Sequence, residues 1–373
     1  MSHRFHIVLT TINIPLVIED LLKNVERYGH INQTKLWVVG DVQTPKGAKH
    51  LCQKVSDQGL ETIYLDIASQ NKIGKKFEEF YKRLPLRNES RRNIGFLAAY
   101  EDGAEVLISI DDDNFPLESD FIGGHSIVGS YCTQNVLSDP TGYYNICEHI
   151  EMNPYRHVYP RGFPFELRNT RNTPKELSIN EDIKIGVNTG LWLKDPDIDA
   201  TTWLNGTIQG INFKGPDYTV LAQDTWTPIN TQNTAIVREL IPAYICIPMG
   251  WEVPGGKINR YGDIWGGYFL QALMRDSEYV VSFGNPIVEH DRNPHNYIDD
   301  LRGEYWGLIL TDWLLKNLRG FSSKQSNILD RISVLSRFIE KINKDSLPEW
   351  CPIEVKQFLF WTSQNLRSWA KAF

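Results

Sequence analysis

The hydrophobic positions of the first hundred residues alternate between strand and helix patterns. Short apolar runs predict strands at residues 5–10, 35–39, 61–65 and 105–110. Between them, residues 17–28 and 89–100 carry apolar side chains at helical spacing. Strands that alternate with helices form a parallel sheet with helices on both faces. We therefore predict an α/β, Rossmann-like fold with a mixed, mostly parallel sheet.

The pattern changes twice further along the chain. Residues 114–302 are rich in Pro, Gly, Asn, Trp and Tyr, which is typical of long loops and short strands around a site. Helical periodicity then returns, with one apolar stripe formed by Ile328, Ile332, Leu335, Ile339 and Ile342. We therefore divide the chain into a main domain, residues 1–303, and a C-terminal helical region, residues 304–373.

The C-terminal region has its own composition. Residues 308–373 hold ten Lys and Arg against six Asp and Glu, and five of the eleven tryptophans lie from Trp306 onward. We expect these helices to pack on the main domain or on a second copy of the chain, which would give a homo-oligomer. Peripheral contact with a membrane surface is an alternative, although Asp330 and Glu340 interrupt the basic face.

Composition excludes several classes of protein. The chain has 373 residues, of which 41% are hydrophobic and 23% charged, as in ordinary globular proteins. A net charge of −7 argues against nucleic-acid binding through a broad basic field. No apolar run approaches the roughly 20 residues that span a bilayer, and the apolar stretch at the N-terminus is too short for a signal peptide. We expect a cytoplasmic protein whose five cysteines are unpaired, since none forms a C-x-x-C pair.

The strongest chemical signal is the run of acids at 111–113, directly after an apolar strand. Clustered carboxylates repel one another unless a divalent cation lies between them. Alternate positions of an extended chain point the same way, so we predict that Asp111 and Asp113 bind a metal while Asp112 faces elsewhere. The alternative is an acidic turn that caps residues 114–116. His290 follows a strand-like segment and is a candidate third ligand, although a single histidine is more often structural.

Other candidates lie at strand ends and helix starts. In parallel sheets, ligands bind outside the carboxyl ends of the strands, where Thr10 and Asp41 are expected. Arg87, Arg91 and Arg92 precede residues 93–95, near the start of the second predicted helix. They suit a phosphate, or form a solvated helix start.

Two further segments carry charged side chains in an aromatic setting. Arg161 and Arg168 flank the loop at 162–167, which contains two phenylalanines and a proline and could present cations to a ligand. Asp263 precedes a helical segment at 264–274. It is either the N-cap of that helix or an acid/base group that projects into the cleft.

Together these segments resemble the reversibly glycosylated polypeptide family, whose members include UDP-arabinopyranose mutases. The resemblance runs in order through residues 5–307. It is carried by the segments at 108–113, 161–168, 190–200, 238–241 and 260–267.

The resemblance implies a nucleotide-diphospho-sugar transferase (GT-A type) fold with a divalent cation, Mn²⁺ or Mg²⁺. It implies that Asp111, Asp112 and Asp113 form the acidic metal site. It also implies that Arg161 is the arginine that becomes glycosylated. Asp263 matches a family aspartate, but the acidic residue that precedes it in the family is here Gly262. A family histidine matches His290.

The resemblance implies a metal-dependent enzyme of nucleotide sugars, with UDP as the expected nucleotide and a role in carbohydrate metabolism such as cell-wall or polysaccharide biosynthesis. The first hypothesis is a UDP-sugar pyranose/furanose mutase, with residues 1–303 as its catalytic domain. The alternatives are a glycosyltransferase and a catalytically silent scaffold. The expected catalytic residues are Arg161 and Asp263, and the expected metal ligands are Asp111, Asp113 and His290. Nucleotide-sugar contacts are expected from Thr10, Asp41, Arg91, Asp112 and Arg168.

Overall fold

The structure is a computed structural model that describes residues 3–133, 135–179 and 183–373. Its strands are β1 (Phe5–Thr11), β2 (Thr34–Gly40), β3 (Thr62–Leu65), β4 (Val106–Ile110), β5 (Asn114–Pro116), β6 (Val136–Ser138), β7 (Ile150–Asn153), β8 (Lys175–Leu177), β9 (Lys184–Lys194), β10 (Gln209–Phe213), β11 (Tyr218–Val220), β12 (Asn233–Val237), β13 (Trp251–Val253), β14 (Gly256–Ile258) and β15 (Tyr279–His290). Its α-helices are α1 (Val17–Arg27), α2 (Lys46–Asp57), α3 (Ile67–Gly74), α4 (Glu78–Tyr81), α5 (Arg92–Glu101), α6 (Phe121–His125), α7 (Ala200–Leu204), α8 (Gly262–Met274), α9 (Tyr297–Leu318), α10 (Ile328–Asp345) and α11 (Ile353–Ala370).

A single mixed sheet organises the main domain. Its strand order is β11-β15-β9-β12-β4-β1-β2-β3. The pairs among β3, β2, β1 and β4 are parallel. Strand β12 runs antiparallel to both β4 and β9, and β15 runs parallel to β9. The predicted α/β class with a mixed sheet is confirmed.

The sheet is buried on both faces because its strands are apolar at successive positions. In β1, Ile7 and Leu9 belong to the core on the side of α1, whereas Val8 belongs to the core on the side of α5. Helix α5 lies very close to the strands. A Cβ on Gly95 would come within 2.5 Å of the Val8 side chain, so glycine permits this approach.

The parallel strands end at one edge of the sheet. The register of β1 on β2 pairs Thr10 with Val39 and Thr11 with Gly40, and β4 ends beside them at Ile110. The residues that follow β2 and β4, Asp41 and Asp111, therefore come to the same edge as the end of β1. This is the position at which open α/β sheets bind ligands.

The C-terminal helices pack on the main domain. Trp369 of α11 is fully buried against Phe80, with ring centroids 4.9 Å apart, and Phe358 lies 6.0 Å from Trp265 of α8. Packing on the main domain is therefore what the structure has, while contact with a second copy or a membrane stays a prediction. The predicted boundary between residues 303 and 304 falls inside α9. None of the described helices combines the length and the hydropathy that crossing a bilayer requires.

Candidate functional site

A cavity of about 370 Å³ opens at the carboxyl edge of the sheet. Its acidic lining residues are Asp41, Glu89, Asp111, Asp112, Asp113, Asp197 and Asp263. Its basic lining residues are Arg87, Arg91, Arg92, Arg161, Arg260, Arg292, His290 and His295. Thr10 also lines it, so the structure brings together every site residue predicted from the sequence except Arg168.

The acidic run after β4 is a turn rather than an extended chain, because the strand ends at Ile110 and the backbone reverses towards β5. Asp111 Oδ1 accepts a hydrogen bond from Arg92 Nη2 at 2.5 Å. Burial raises the pKa of the Asp111 carboxyl, while the Arg92 guanidinium opposes that rise. Arg92 also donates to Thr10 Oγ1 at 3.1 Å, and thus links the ends of β1 and β4.

Asp112 lines the same cavity as its neighbours. The expectation that it faces elsewhere is wrong, because side chains alternate on an extended strand and not in a turn. Its Oδ2 atom accepts a hydrogen bond from the Thr11 hydroxyl at 2.5 Å. Burial raises the pKa of Asp112 to about 6.

Asp113 is paired with His290, which lies at the end of β15. The Nε2 atom of His290 is 3.4 Å from Asp113 Oδ2, and its Nδ1 atom is 2.6 Å from the carbonyl oxygen of Asp195. A carbonyl oxygen accepts, so Nδ1 carries the hydrogen. Burial would raise the pKa of Asp113, but the hydrogen bond and the charge of His290 hold it below its ordinary value. Among the described residues, no three His, Cys, Asp or Glu side chains converge closely enough to form a complete metal site.

Arg161 lies between two carboxylates on the other wall of the cavity. Its Nε and Nη2 atoms donate to Asp197 at 2.9 and 3.3 Å, and its Nη1 and Nη2 atoms donate to Asp263 at 3.2 and 2.9 Å. Nη1 also donates to the carbonyl oxygen of Arg260. All five N–H groups of the guanidinium are therefore engaged. The two carboxylates overcome the effect of burial and raise the pKa of Arg161 well above its ordinary value.

Asp263 is not the N-cap of α8, which corrects one of the two interpretations of this residue. The helix begins at Gly262, and the residue in the cap position is Tyr261. Asp263 lies in the first turn, where its Oδ1 atom accepts from the backbone N–H of Ile264 at 2.9 Å. The rest of its hydrogen bonds go to Arg161, so Asp263 faces the cavity.

Arg168 lies outside the cavity. It forms an ion pair with the buried Asp199 at 2.5 Å, and its guanidinium lies over the ring of Phe165. Arg91 lines the cavity, but its donors point into the protein, towards Gln70 Oε1 at 2.7 Å and the Tyr81 hydroxyl at 3.1 Å.

Asp41 follows β2 at the rim of the cavity. One oxygen of its carboxylate accepts from the N–H of Asn88 at 3.2 Å, so it ties the end of the strand to the segment that precedes α5.

Two acidic residues of the site carried no signal that set them apart in the sequence. Asp197 lies in a loop among other aspartates, and its pairing with Arg161 depends on the tertiary fold. Glu89 lies between the arginines that drew attention as phosphate ligands. An acidic residue inside a basic segment is the pattern that could have marked it.

The family model and the curated relatives that match this chain indicate the same family. The model of the reversibly glycosylated polypeptide family matches residues 42–326. A Pisum sativum protein named "Probable UDP-arabinopyranose mutase 1" is 28% identical over 265 residues, which cover 66% of this chain and 67% of that protein. An Arabidopsis thaliana protein named "UDP-arabinopyranose mutase 2" is 30% identical over 247 residues, which cover 65% of this chain and 62% of that protein. The chain thus spans about two thirds of the first relative and slightly less of the second.

A solved structure shows a weaker similarity. It is glucosyl-3-phosphoglycerate synthase from Mycobacterium tuberculosis in complex with Mn²⁺ and UDP-glucose, with 11% sequence identity and a TM-score of 0.39. The similarity covers 87% of this chain and 81% of that one.

Proposed function

Because the chain belongs to the reversibly glycosylated polypeptide family, we propose that it is a metal-dependent UDP-sugar pyranose/furanose mutase, which cleaves and re-forms the sugar–diphosphate bond. One observation carries the proposal. The turn after β4 and the Arg161–Asp263 pair face the same cavity, whose volume of about 370 Å³ suits a small-molecule ligand. In the proposed site, the acidic turn after β4 would bind the cation and the diphosphate. The Arg161–Asp263 pair would lie beside the reacting sugar.

The Asp113–His290 pair fits a divalent cation such as Mn²⁺ or Mg²⁺. Since His290 Nδ1 donates to the Asp195 carbonyl, a neutral His290 has its Nε2 lone pair on the side of Asp113. Two protein ligands are enough where substrate phosphates and water complete the coordination shell. Asp111, which its ion pair with Arg92 holds in place, would support the Asp113–His290 pair. A cation held here would stabilise the charge that develops on the departing diphosphate.

Two arginines hold the charged groups of the proposed site in place. Arg92 holds Asp111 and the end of β1 in place, so the acidic turn is fixed before a ligand enters. Arg161 fixes Asp263 through two parallel hydrogen bonds, so the carboxylate faces the cavity in one orientation. Such preorganised charge lowers the barrier when a bond to the anomeric carbon breaks.

A glycosyltransferase is the second candidate. It would use the same bond cleavage but pass the sugar to an acceptor. Arg260, Arg292 and His295 line the cavity and give it a polar wall on which an acceptor could bind.

The experiment that tests the proposal omits the acceptor. Purified protein is incubated with UDP-arabinopyranose, UDP-galactose or UDP-glucose and Mn²⁺, and the nucleotide sugars are separated by chromatography. A mutase yields the ring isomer of one UDP-sugar. Hydrolysis alone favours the transferase. Failure to bind UDP in the presence of Mn²⁺ contradicts both functions.

A further inference from the structure

Arg292 is a nearly buried arginine of the cavity whose guanidinium is only partly engaged. Its side chain is 10% exposed and lines the cavity. Its Nη2 atom donates to Asp300 Oδ2 at 3.3 Å. Within the described part of the chain, its Nε and Nη1 atoms have no hydrogen-bond partner, and neither is shielded from solvent. The fold therefore leaves the N–H groups of these two nitrogens open to a ligand.

The other nearly buried arginines of the cavity are engaged by the protein. Arg161 donates from all three of its nitrogens to two carboxylates and a carbonyl oxygen. Arg91 also donates from all three nitrogens, towards the protein interior. Arg92 donates from both Nη atoms, and its Nε is shielded from solvent. Among these four described arginines, only Arg292 has nitrogens that lack a protein partner and are open to solvent.

Several contacts fix the position of Arg292. Its backbone N–H donates to Asp195 Oδ2 at 3.1 Å, and Asp300 holds its Nη2 atom. Its guanidinium also lies over the rings of Trp203 and Tyr297, at 5.4 and 5.8 Å from their centroids. Since the side chain is already ordered, a ligand that binds its open donors has little conformational entropy to overcome.

The same contacts place Arg292 beside the proposed cation site. The carbonyl oxygen of Asp195 accepts from His290 Nδ1 at 2.6 Å, while the carboxylate of Asp195 accepts from the backbone of Arg292. The N–H of Asp291, between them, donates to the carbonyl oxygen of Asp113 at 2.9 Å. Residues 290–292 therefore run along the acidic turn. A ligand held by a cation at Asp113 and His290 would share the cavity with the open donors of Arg292.

We propose that Arg292 binds the diphosphate of the nucleotide sugar and holds it in the cavity while the sugar is detached. This inference rests on the proposed mutase function. The diphosphate is the charged part of such a substrate, and a guanidinium donates strong, charge-assisted hydrogen bonds to phosphate oxygens. Arg292 thus offers the diphosphate an attachment that does not depend on a cation.

The contribution of Arg292 grows as the sugar–diphosphate bond breaks. The electron pair of this bond stays on the phosphate oxygen, so the diphosphate gains one negative charge and the anomeric carbon is left electron-deficient. When the bond re-forms, the same electron pair returns to the anomeric carbon. The guanidinium keeps its protons throughout, so Arg292 stabilises the added charge without transferring a proton.

The test uses Arg292→Gln, which removes the charge but keeps a polar side chain. Asp300 keeps Arg260 at 3.1 Å and His295 at 2.9 Å in this variant, so its carboxylate is not left unpaired. We expect calorimetric titration to show that the affinity for UDP falls by at least about tenfold. The affinity for uridine, which has no phosphate, should stay within about twofold of wild type. The matched control is Arg302→Gln, at an arginine that is 70% exposed, and it should leave both affinities unchanged.

Two results of this titration overturn the proposal. The first is an Arg292→Gln protein that binds UDP within about threefold of wild type, because a charge-assisted hydrogen bond contributes more than that. The second is an equal loss of affinity for UDP and for uridine, which would show that the substitution disturbs the cavity as a whole.

A further titration separates direct contact from an effect through the cation. Wild type and Arg292→Gln are titrated with UDP in Mn²⁺ and again in a chelator. A loss of affinity under both conditions supports contact between Arg292 and the diphosphate itself. A loss confined to Mn²⁺ would show that the substitution acts by displacing His290, two residues away, and overturns the proposal.

The outcome is separable from the proposed function because binding is measured without turnover. If the wild type binds UDP but forms no ring isomer, the mutase function fails, and the phosphate-dependent loss in Arg292→Gln still decides the role of Arg292. If the wild type forms the isomer and Arg292→Gln binds UDP equally well, the inference fails alone. If the wild type binds UDP no better than uridine, the cavity does not hold the diphosphate, and both fail.

Discussion

Arg161 and Asp263 face each other through two parallel hydrogen bonds, from Nη1 to Oδ1 at 3.2 Å and from Nη2 to Oδ2 at 2.9 Å. Both side chains are about 12% exposed. Asp197 satisfies the other side of the same guanidinium. One arginine thus neutralises two nearly buried carboxylates, and the geometry of the cavity wall depends on it.

Arg161→Lys should destabilise the protein. Lysine has three donors on a single nitrogen and cannot serve two carboxylates on opposite sides, so one buried charge loses its partner. We expect the free energy of unfolding to fall by about 3 kcal/mol, measured by urea denaturation at pH 7. The control is Arg302→Lys, because the Arg302–Asp299 pair is exposed on both sides and contributes little. Equal effects of the two substitutions would contradict the structural role of Arg161.

The hydrogen bonds of Arg161 also determine whether a sugar can be attached to its side chain. The resemblance implies that this arginine carries a sugar, yet a guanidinium with every N–H engaged presents no free nitrogen. Asp263→Asn removes the negative charge that holds one edge of the Arg161 guanidinium. We expect this substitution to increase the labelling of Arg161 by a radioactive UDP-sugar. The measurement is peptide mapping of the labelled protein. Label that stays equal in wild type and variant would argue that the Asp263 pairing does not control access.

Asp113→Asn tests the proposed cation. An amide binds a divalent cation much more weakly than a carboxylate, so the gain in UDP affinity on adding Mn²⁺ should fall by at least about tenfold. Calorimetric titration of UDP with Mn²⁺ and with a chelator measures this gain directly. Asp299→Asn, which changes an exposed carboxylate, should behave like wild type. A Mn²⁺ effect that survives Asp113→Asn would exclude this residue as a ligand.

The fold was largely accessible from the sequence because local patterns determine it. The predicted strand at 5–10 is β1 at Phe5–Thr11, and the predicted helix at 17–28 is α1 at Val17–Arg27. Four residues of the predicted apolar stripe, Ile332, Leu335, Ile339 and Ile342, lie on the buried face of α10, and Ile328 is half-buried at its start. The α/β class, the mixed sheet and the family resemblance are confirmed.

The site was accessible only in part, since pairing depends on distant contacts. The sequence indicated that the acids at 111–113 share one edge with Thr10 and Asp41 because strand ends share that edge. Strand alternation placed Asp112 outside the cavity, and only the family resemblance placed it in the site. Nothing in the sequence indicated that Arg168 pairs with Asp199 outside the cavity, or that Asp197 pairs with Arg161. Those contacts join residues whose separation in space is set by loops without periodic patterns.

Trp369→Ala should show that the C-terminal helices share the core of the main domain. Trp369 is fully buried against Phe80 and donates its Nε1 hydrogen to the carbonyl oxygen of Pro242 at 2.6 Å. We expect a loss of about 3–5 kcal/mol in the free energy of unfolding. Trp350→Ala is the control, because the side chain of Trp350 is 62% exposed. A second, separate unfolding transition for residues 304–373 would contradict a shared core.

Stability should fall in mild acid because of a buried histidine. His125 Nε2 hydrogen-bonds to Asn233 Oδ1 at 3.0 Å, and its Nδ1 atom accepts from the amide of Asn188 at 3.2 Å. Both ring nitrogens are therefore satisfied in the neutral form. Burial lowers the pKa of His125 from 6.5 to about 3. Between these values the unfolded chain binds a proton that the folded protein refuses, so stability decreases as the pH falls from 6.5 towards 3.

His125→Gln isolates this contribution, since glutamine keeps a polar group at the position but does not titrate. For the wild type, this histidine alone should cost about 2 kcal/mol of stability between pH 7 and pH 5. His6, whose pKa burial lowers to about 4, adds a similar loss that both proteins share. We therefore expect urea denaturation to give a pH 7 to pH 5 difference that is smaller in His125→Gln by about 2 kcal/mol. The exposed His50, changed to glutamine, should leave the wild-type difference unaltered. If His125→Gln and wild type lost equal stability, His125 would have to take up its proton within the fold, and the two amide contacts could not both hold.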